Sequence, residues 1–198
     1  MARRSKWLRI GLAAVGLSVL GVGLYGYRRL APMPAGRPFY VRYEAPIPLD
    51  EVLRKLEEKG TIRDARVTGT ALRMMGAPPA LRRGTYTFRA GDGLRTLAKT
   101  VEAPMRRMIR LRQMRWIART GQRLQSESVC TRAAYIRATE DAAVYRPAFP
   151  FLPASGSLEG YLMPDTYDLP PLLPAEQVVA MQLQNFGRQI APLLKGVK

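Results

Sequence analysis

From Ile10 to Tyr27 the chain carries no charged side chain. As a helix at about 1.5 Å per residue the run is ~27 Å long, close to the thickness of a bilayer's hydrocarbon core. Its glycines weaken a soluble helix but are tolerated in membranes. Arg3, Arg4, Lys6 and Arg9 precede it, and Tyr25, Tyr27, Arg28 and Arg29 form an interfacial belt at its far end. A cleaved signal peptide has a shorter apolar core and a small-residue cleavage site. The run is therefore read as an uncleaved single-pass anchor. The basic N-terminal flank places the N-terminus in the cytoplasm and residues 31–198 outside the cell (inner) membrane.

The charge is the second constraint. Thirty-two Lys and Arg stand against 15 Asp and Glu, a net +17. Residues 1–30 hold six basic groups and no acid, so the remainder carries 26 − 15 = +11. Such a surface suits anionic partners. There is no histidine and a single cysteine, Cys130. That removes His-based triads, His metal ligands, intramolecular disulfides and Cys-rich zinc sites. Chemistry falls to carboxylates, hydroxyls, Lys or Arg.

Beyond the Pro-rich linker 31–38, Phe39, Val41 and Tyr43 alternate as a strand. Leu49, Val52, Leu53 and Leu56 recur at helical spacing. Asp64 is placed to cap a second helix through Val67, Ala71, Met74 and Met75. Gly84 to Phe88 alternates again, with Tyr86 and Phe88 on one face, and a helix with Leu94, Leu97, Ala98 and Val101 follows. Pro104 closes this unit. Ile109 to Arg112 alternates like a strand, and Trp116, Ile117, Thr120 and Leu124 space like a helix. A further helical run lies within Ser128–Thr139, with Val129, Ala133, Ile136 and Arg137. Pro174 opens a last helix whose face is Val179, Leu183, Phe186 and Ile190.

Two segments could carry chemistry. The first is the arginine run 106, 107, 110, 112, 115, 119 and 123. Nucleic-acid binding wants stacking aromatics among such residues, and only Trp116 supplies one. A solvated face, or contact with anionic lipid or glycan carboxylates, also explains the run. The second is Leu158-Glu-Gly-Tyr-Leu-Met-Pro-Asp-Thr-Tyr167. Its carboxylates and tyrosines could line a sugar cleft, where hydroxyls need acceptors and pyranose CH faces need apolar platforms. Spacing alone equally allows a structured turn in which Asp165 caps backbone amides and Glu159 sits at a strand edge.

These pieces, in this order, resemble the YceG-like endolytic murein transglycosylases. The likeness covers the anchor, the Phe39–Glu102 unit with Gly84-Thr-Tyr-Thr-Phe88, and above all Leu158–Tyr167, close to the family's Leu-Glu-Gly-Tyr-Leu-Phe-Pro-Asp-Thr-Tyr. The resemblance implies a LysM-like subdomain for the strand-helix-helix-strand of residues 39–88. It also implies cleavage of nascent peptidoglycan within the strand, without water. The muramic 6-hydroxyl attacks its own anomeric carbon, one glutamate acts as acid and base, and a 1,6-anhydro end terminates elongation. The chain departs from the family twice. Arg112-Gln113-Met114 stands where the family has Pro-Glu-Gly. The family's catalytic glutamate lies in a helix beyond the signature, and the chain ends at Lys198 ahead of it. Glu159 matches the signature glutamate, not the catalytic one, so no catalytic residue is assigned.

The expected fold is α+β: a transmembrane helix within residues 1–30, the linker 31–38, a LysM-like βααβ subdomain over 39–104, and an incomplete α/β catalytic-type domain over 105–198. In that last domain Val179, Leu183 and Phe186 are expected to be short of packing partners. Glu159, Tyr161, Asp165 and Tyr167 are the expected substrate-binding residues. No metal or cofactor is expected. The expected partners are peptidoglycan glycan strands, the cell membrane and peptidoglycan synthases, with no nucleic acid. The competing functions are a non-catalytic, membrane-anchored peptidoglycan-binding or scaffold protein and, behind it, a basic membrane-surface or nucleic-acid binder.

Overall fold

Leu49, Val52, Leu53 and Leu56 are all buried in a computed structural model that describes residues 21, 23–112, 117–190 and 193. Most of the expected Ile10–Tyr27 span lies outside the described residues. Residues 23–30 are helical, and among the described residues no helix is long and apolar enough to cross a membrane.

The fold is mixed, α+β, with short sheets. The chain divides into two compact units. Unit 1 runs to Pro104, except that Tyr40–Arg42 group with unit 2, which begins at Met105. Unit 1 contains strands β1 (Phe39–Tyr43) and β2 (Ile47–Pro48), helices α1 (Leu49–Glu58) and α2 (Ala65–Met74), strands β3 (Ala80–Leu81) and β4 (Gly84–Phe88), and helix α3 (Leu94–Glu102). Strand β1 pairs with β4, and β2 pairs antiparallel with β3. The two-residue strands β2 and β3 were not expected. Each borders or contains proline, so neither shows the alternation that marks a strand.

The alternation of Tyr86 and Phe88 puts both rings in the core of unit 1. Phe39 approaches Phe88 at 6.2 Å and Tyr43 approaches Tyr86 at 6.0 Å between ring centroids. Helix α1 turns its 3.6-residue stripe inward, with Asp50 and Glu51 in its first turn, where the helix dipole favours negative charge. Asp64 caps α2 by accepting the Val67 amide at 2.9 Å.

The face of α2 differs from expectation. Its buried residues are Thr68, Gly69 and Leu72, whereas Met74 is 85% exposed. The cause is a close helix-helix approach. A Cβ at position 69 would stand 3.2 Å from Leu53 Cδ1 and 3.3 Å from Asp50 Oδ1. The helices therefore meet at Gly69, with Thr68 and Leu72 beside it, and the methionines are left outside the contact.

Unit 2 contains strand β5 (Met108–Leu111), helices α4 (Ile117–Ser126) and α5 (Arg132–Ala138), a 3₁₀ turn (Ala142–Val144), strand β6 (Asp165–Asp168) and helix α6 (Ala175–Gln189). Strands β5 and β6 pair antiparallel, with Ile109 opposite Tyr167 and Leu111 opposite Asp165. Ile109, Leu111 and Tyr167 thus share the inner face, and Met108, Arg110, Thr166 and Asp168 the outer one. Arg106 pairs with Asp168 at 2.9 Å, and the Arg107 amide donates to the same carboxylate at 2.7 Å. Arg107 also pairs with Glu127, which Arg123 reaches at 2.7 Å.

Two expectations for unit 2 are corrected. In α5 the inward residue is Tyr135, and Ala133 and Arg137 are exposed. A helix of seven residues is too short for a stripe to define its face, and the largest apolar group decides. Val179, Leu183 and Phe186 do not lack partners: all three are buried. The first two join a cluster with Leu111, Leu124, Leu158 and Leu169, and the Phe186 ring meets Phe151 at 5.5 Å and Tyr161 at 5.4 Å.

Candidate functional site

The Leu158–Tyr167 segment alternates between core and surface. Leu158 is fully buried, and its amide donates to Thr139 O at 2.8 Å. Glu159 and Gly160 are exposed in the turn that follows. Gly160 has φ +90°, and a Cβ there would meet nothing within 4 Å. An L side chain at this position is therefore strained by its backbone alone. Gly160→Ala is expected to cost about 1–2 kcal/mol in thermal or denaturant unfolding. A loss near zero would show that the turn relaxes freely and does not fix Glu159.

Pro164 leads into β6. Asp165 lies at the inner-face end of that strand, where its Oδ1 accepts the Thr166 amide at 2.7 Å and its Oδ2 accepts Asn185 Nδ2 at 2.8 Å. These two donors, with Arg188 nearby, hold its carboxyl below the usual range, so it is ionised at neutral pH. The Asn185 amide also donates to Tyr167 Oη at 3.2 Å, and the Tyr167 hydroxyl donates to Met163 O at 2.7 Å. Gln189 Nε2 donates to Asn185 Oδ1 at 2.9 Å. Burial pushes the Tyr167 phenol up, which keeps it a donor. Asn185 thus ties the end of β6 to helix α6.

Two adjoining pockets open beside this network. One, of about 70 Å³, is lined by Arg112, Ile117, Thr120, Glu159, Gly160, Leu162, Pro164 and Gln182. The other, of about 430 Å³, is lined by Arg110, Leu111, Arg112, Pro164, Asp165 and Thr166. Arg112 and Pro164 belong to both. In the smaller pocket Gln182 accepts the Tyr135 hydroxyl at 2.7 Å through Oε1, which leaves its amide nitrogen to donate to a ligand. Burial raises the Tyr135 phenol, so that hydroxyl stays protonated.

Of the four expected binding residues, the structure brings Glu159 and Asp165 to the pocket walls and sets Tyr161 and Tyr167 behind them. The Tyr161 ring is half-buried against Phe186, and Tyr167 is in the core. Apolar lining comes instead from Ile117, Leu162 and Pro164. Sequence reasoning missed Gln182 and Asn185. The available signal was a polar stripe, Gln182, Asn185 and Gln189, spaced three and four apart on an otherwise apolar helix. Among the described residues no three His, Cys, Asp or Glu side chains are grouped to hold a metal ion.

This signature segment and its framework fall within residues 43–197, which match the model of the YceG-like family. The chain belongs to the YceG-like family. Among solved structures it is similar to a YceG-like protein of Listeria monocytogenes, 17% identical, with a TM-score of 0.39 over 80% of this chain. The aligned part is 57% of that chain's length. No curated protein matches. The family is consistent with a peptidoglycan-related function.

Proposed function

We propose that the chain is a membrane-anchored protein of peptidoglycan whose unit 2 holds a nascent, uncrosslinked glycan strand for the endolytic, 1,6-anhydro-forming cleavage that terminates elongation. One observation carries this reading. Glu159 and Asp165, from the two halves of the signature, stand in the walls of adjoining pockets with an amide, Gln182, and apolar surfaces. Carboxylates and amides bind sugar hydroxyls, and Ile117, Leu162 and Pro164 offer the dry surface a pyranose ring needs. Glu159 and Asp165 act here as binding groups. Tyr161 and Tyr167 support them by fixing the segment against α6. Unit 1, with its β1–α1–α2–β4 core, is the proposed LysM-like partner in holding the strand.

Cleavage needs a carboxyl that gives a proton to the leaving glycosidic oxygen. Asp165 is ill suited to that role, being held ionised. This favours, as a second reading, a peptidoglycan-binding protein that does not cleave. Incubation of the full chain with uncrosslinked strands separates the two, with binding read by calorimetry and 1,6-anhydro ends by mass spectrometry. Binding with ends above a no-protein blank selects cleavage, and binding with ends at the blank selects the second reading. If those ends vanish in Glu159→Gln, Glu159 is the acid. Absence of binding sinks both.

The proposed anchor, Ile10–Tyr27 with the N-terminus inside, has its own test. A protease added outside intact spheroplasts should digest residues 31–198. Protection until lysis contradicts that topology.

A further inference from the structure

Among the described arginines of the 106–123 run, three are partnered within unit 2: Arg106 by Asp168, and Arg107 and Arg123 by Glu127. Arg119, exposed in α4, has no such partner among the described residues and lines neither pocket beside the signature. Arg110 and Arg112 are set apart by where they stand. Both are exposed, both line the 430 Å³ pocket, and among the described residues neither has a hydrogen-bond or ion-pair partner. They stand two residues apart, so their Cα atoms are about 6.6 Å apart along one face of an extended chain. Thr166, opposite Arg110 in the register, adds a hydroxyl to the same wall. Asp165 is an ionised neighbour in the same pocket, but it forms no ion pair with either arginine; its oxygens accept from Thr166 N and Asn185 Nδ2 instead. Glu159 shares the smaller pocket with Arg112, but no ion pair joins them.

We propose that Arg110 and Arg112 form a carboxylate subsite, which selects glycan carrying the acidic arms of muramic acid over neutral amino-sugar glycan. The inference rests on the reading that unit 2 holds a peptidoglycan strand, and adds the part of the strand that this end of the cleft recognises. Guanidinium groups suit the task because their planar N–H forks match a carboxylate's two oxygens. The acidic arms recur at every second sugar. A strand laid through the smaller pocket therefore presents one of them to the larger.

The test is calorimetric titration of the full chain in detergent with two ligands, a muramic-acid-containing tetrasaccharide with peptide arms and a neutral N-acetylglucosamine tetrasaccharide. The acidic ligand should bind about 10- to 100-fold more tightly than the neutral one, an advantage that shrinks as salt rises. The Arg110→Gln/Arg112→Gln variant should bind the two ligands equally, the acidic ligand losing at least ~10-fold more affinity than the neutral one. Arg110→Lys/Arg112→Lys should keep part of the preference. Because both side chains are exposed and unpartnered, unfolding midpoints should match the wild type. Equal wild-type affinities overturn the subsite while leaving the glycan reading intact, and so does a preference that survives the double Gln change. Displacement by inorganic phosphate at lower concentration than by a free muramyl peptide reassigns the pair to phosphate and also overturns it. Binding of neither ligand overturns both the glycan reading and the subsite.

Discussion

Leu158→Ala is expected to destabilise unit 2 by about 2–5 kcal/mol, the range for removing a leucine side chain from a core that cannot close over the gap. Leu158 is fully buried in a cluster with Leu111, Leu124, Val179 and Leu183, drawn from β5, α4 and α6. Its amide is tied to Thr139 O, so the backbone has little freedom to move inward. The next residue provides the contrast. Glu159 is exposed, and Glu159→Gln should change stability by no more than about 0.5 kcal/mol while weakening strand binding. Urea unfolding of both variants checks the pair. A small loss for Leu158→Ala would mean that the signature is not seated in the core, and the placement of Glu159 would lose its basis.

Asn185→Asp is expected to destabilise the protein at pH 7 and to reverse the acid dependence of stability. In the wild type Asn185 donates to Asp165, whose folded pKa is lowered by Thr166, Asn185 and Arg188. The stability this contributes is present above the unfolded carboxylate value and is lost as pH falls through the folded one. In the variant two carboxylates face each other within hydrogen-bond distance, and they share one proton more readily than none. The folded pair then has a raised pKa. Its stabilising contribution is present below the unfolded value and is lost as pH rises through the folded one. Between pH 7 and pH 4 this variant should therefore gain stability relative to the wild type. Parallel pH profiles for the two proteins would show that the Asp165–Asn185 contact does not hold the end of β6.

What could be read in advance follows from how each element buries its side chains. Helix α1 was legible to the residue because Leu49, Val52, Leu53 and Leu56 are large and regularly spaced. Helix α2 was legible as a helix, through Asp64, but not in its orientation. Its contact depends on Gly69 standing against Leu53, and small residues contribute nothing to a hydrophobic stripe. Strands β2 and β3 are defined by each other and carry no local signal. In the candidate site, Glu159 and Asp165 were visible as exposed polar residues in an unusual segment. Gln182 was not, because it sits on a buried helical face and is satisfied by a tyrosine 47 residues earlier in sequence. Tyr161 and Tyr167 looked like sugar platforms by residue type. Only tertiary packing shows that their rings face Phe186 and the core. The spare guanidinium groups of Arg110 and Arg112 were likewise hidden, since pairing of their neighbours requires Asp168 and Glu127 to come alongside.

In the proposed complex the strand lies along the Glu159–Thr166 wall of unit 2. The most direct measurement is photocross-linking of the full chain with a diazirine-bearing uncrosslinked glycan strand, followed by peptide mapping. Adducts are expected on residues 159–166 and on α6 near Gln182, and they should fade when unlabelled strand competes. Adducts confined to unit 1, or spread over the basic surface in proportion to exposure and insensitive to competition, would contradict the account.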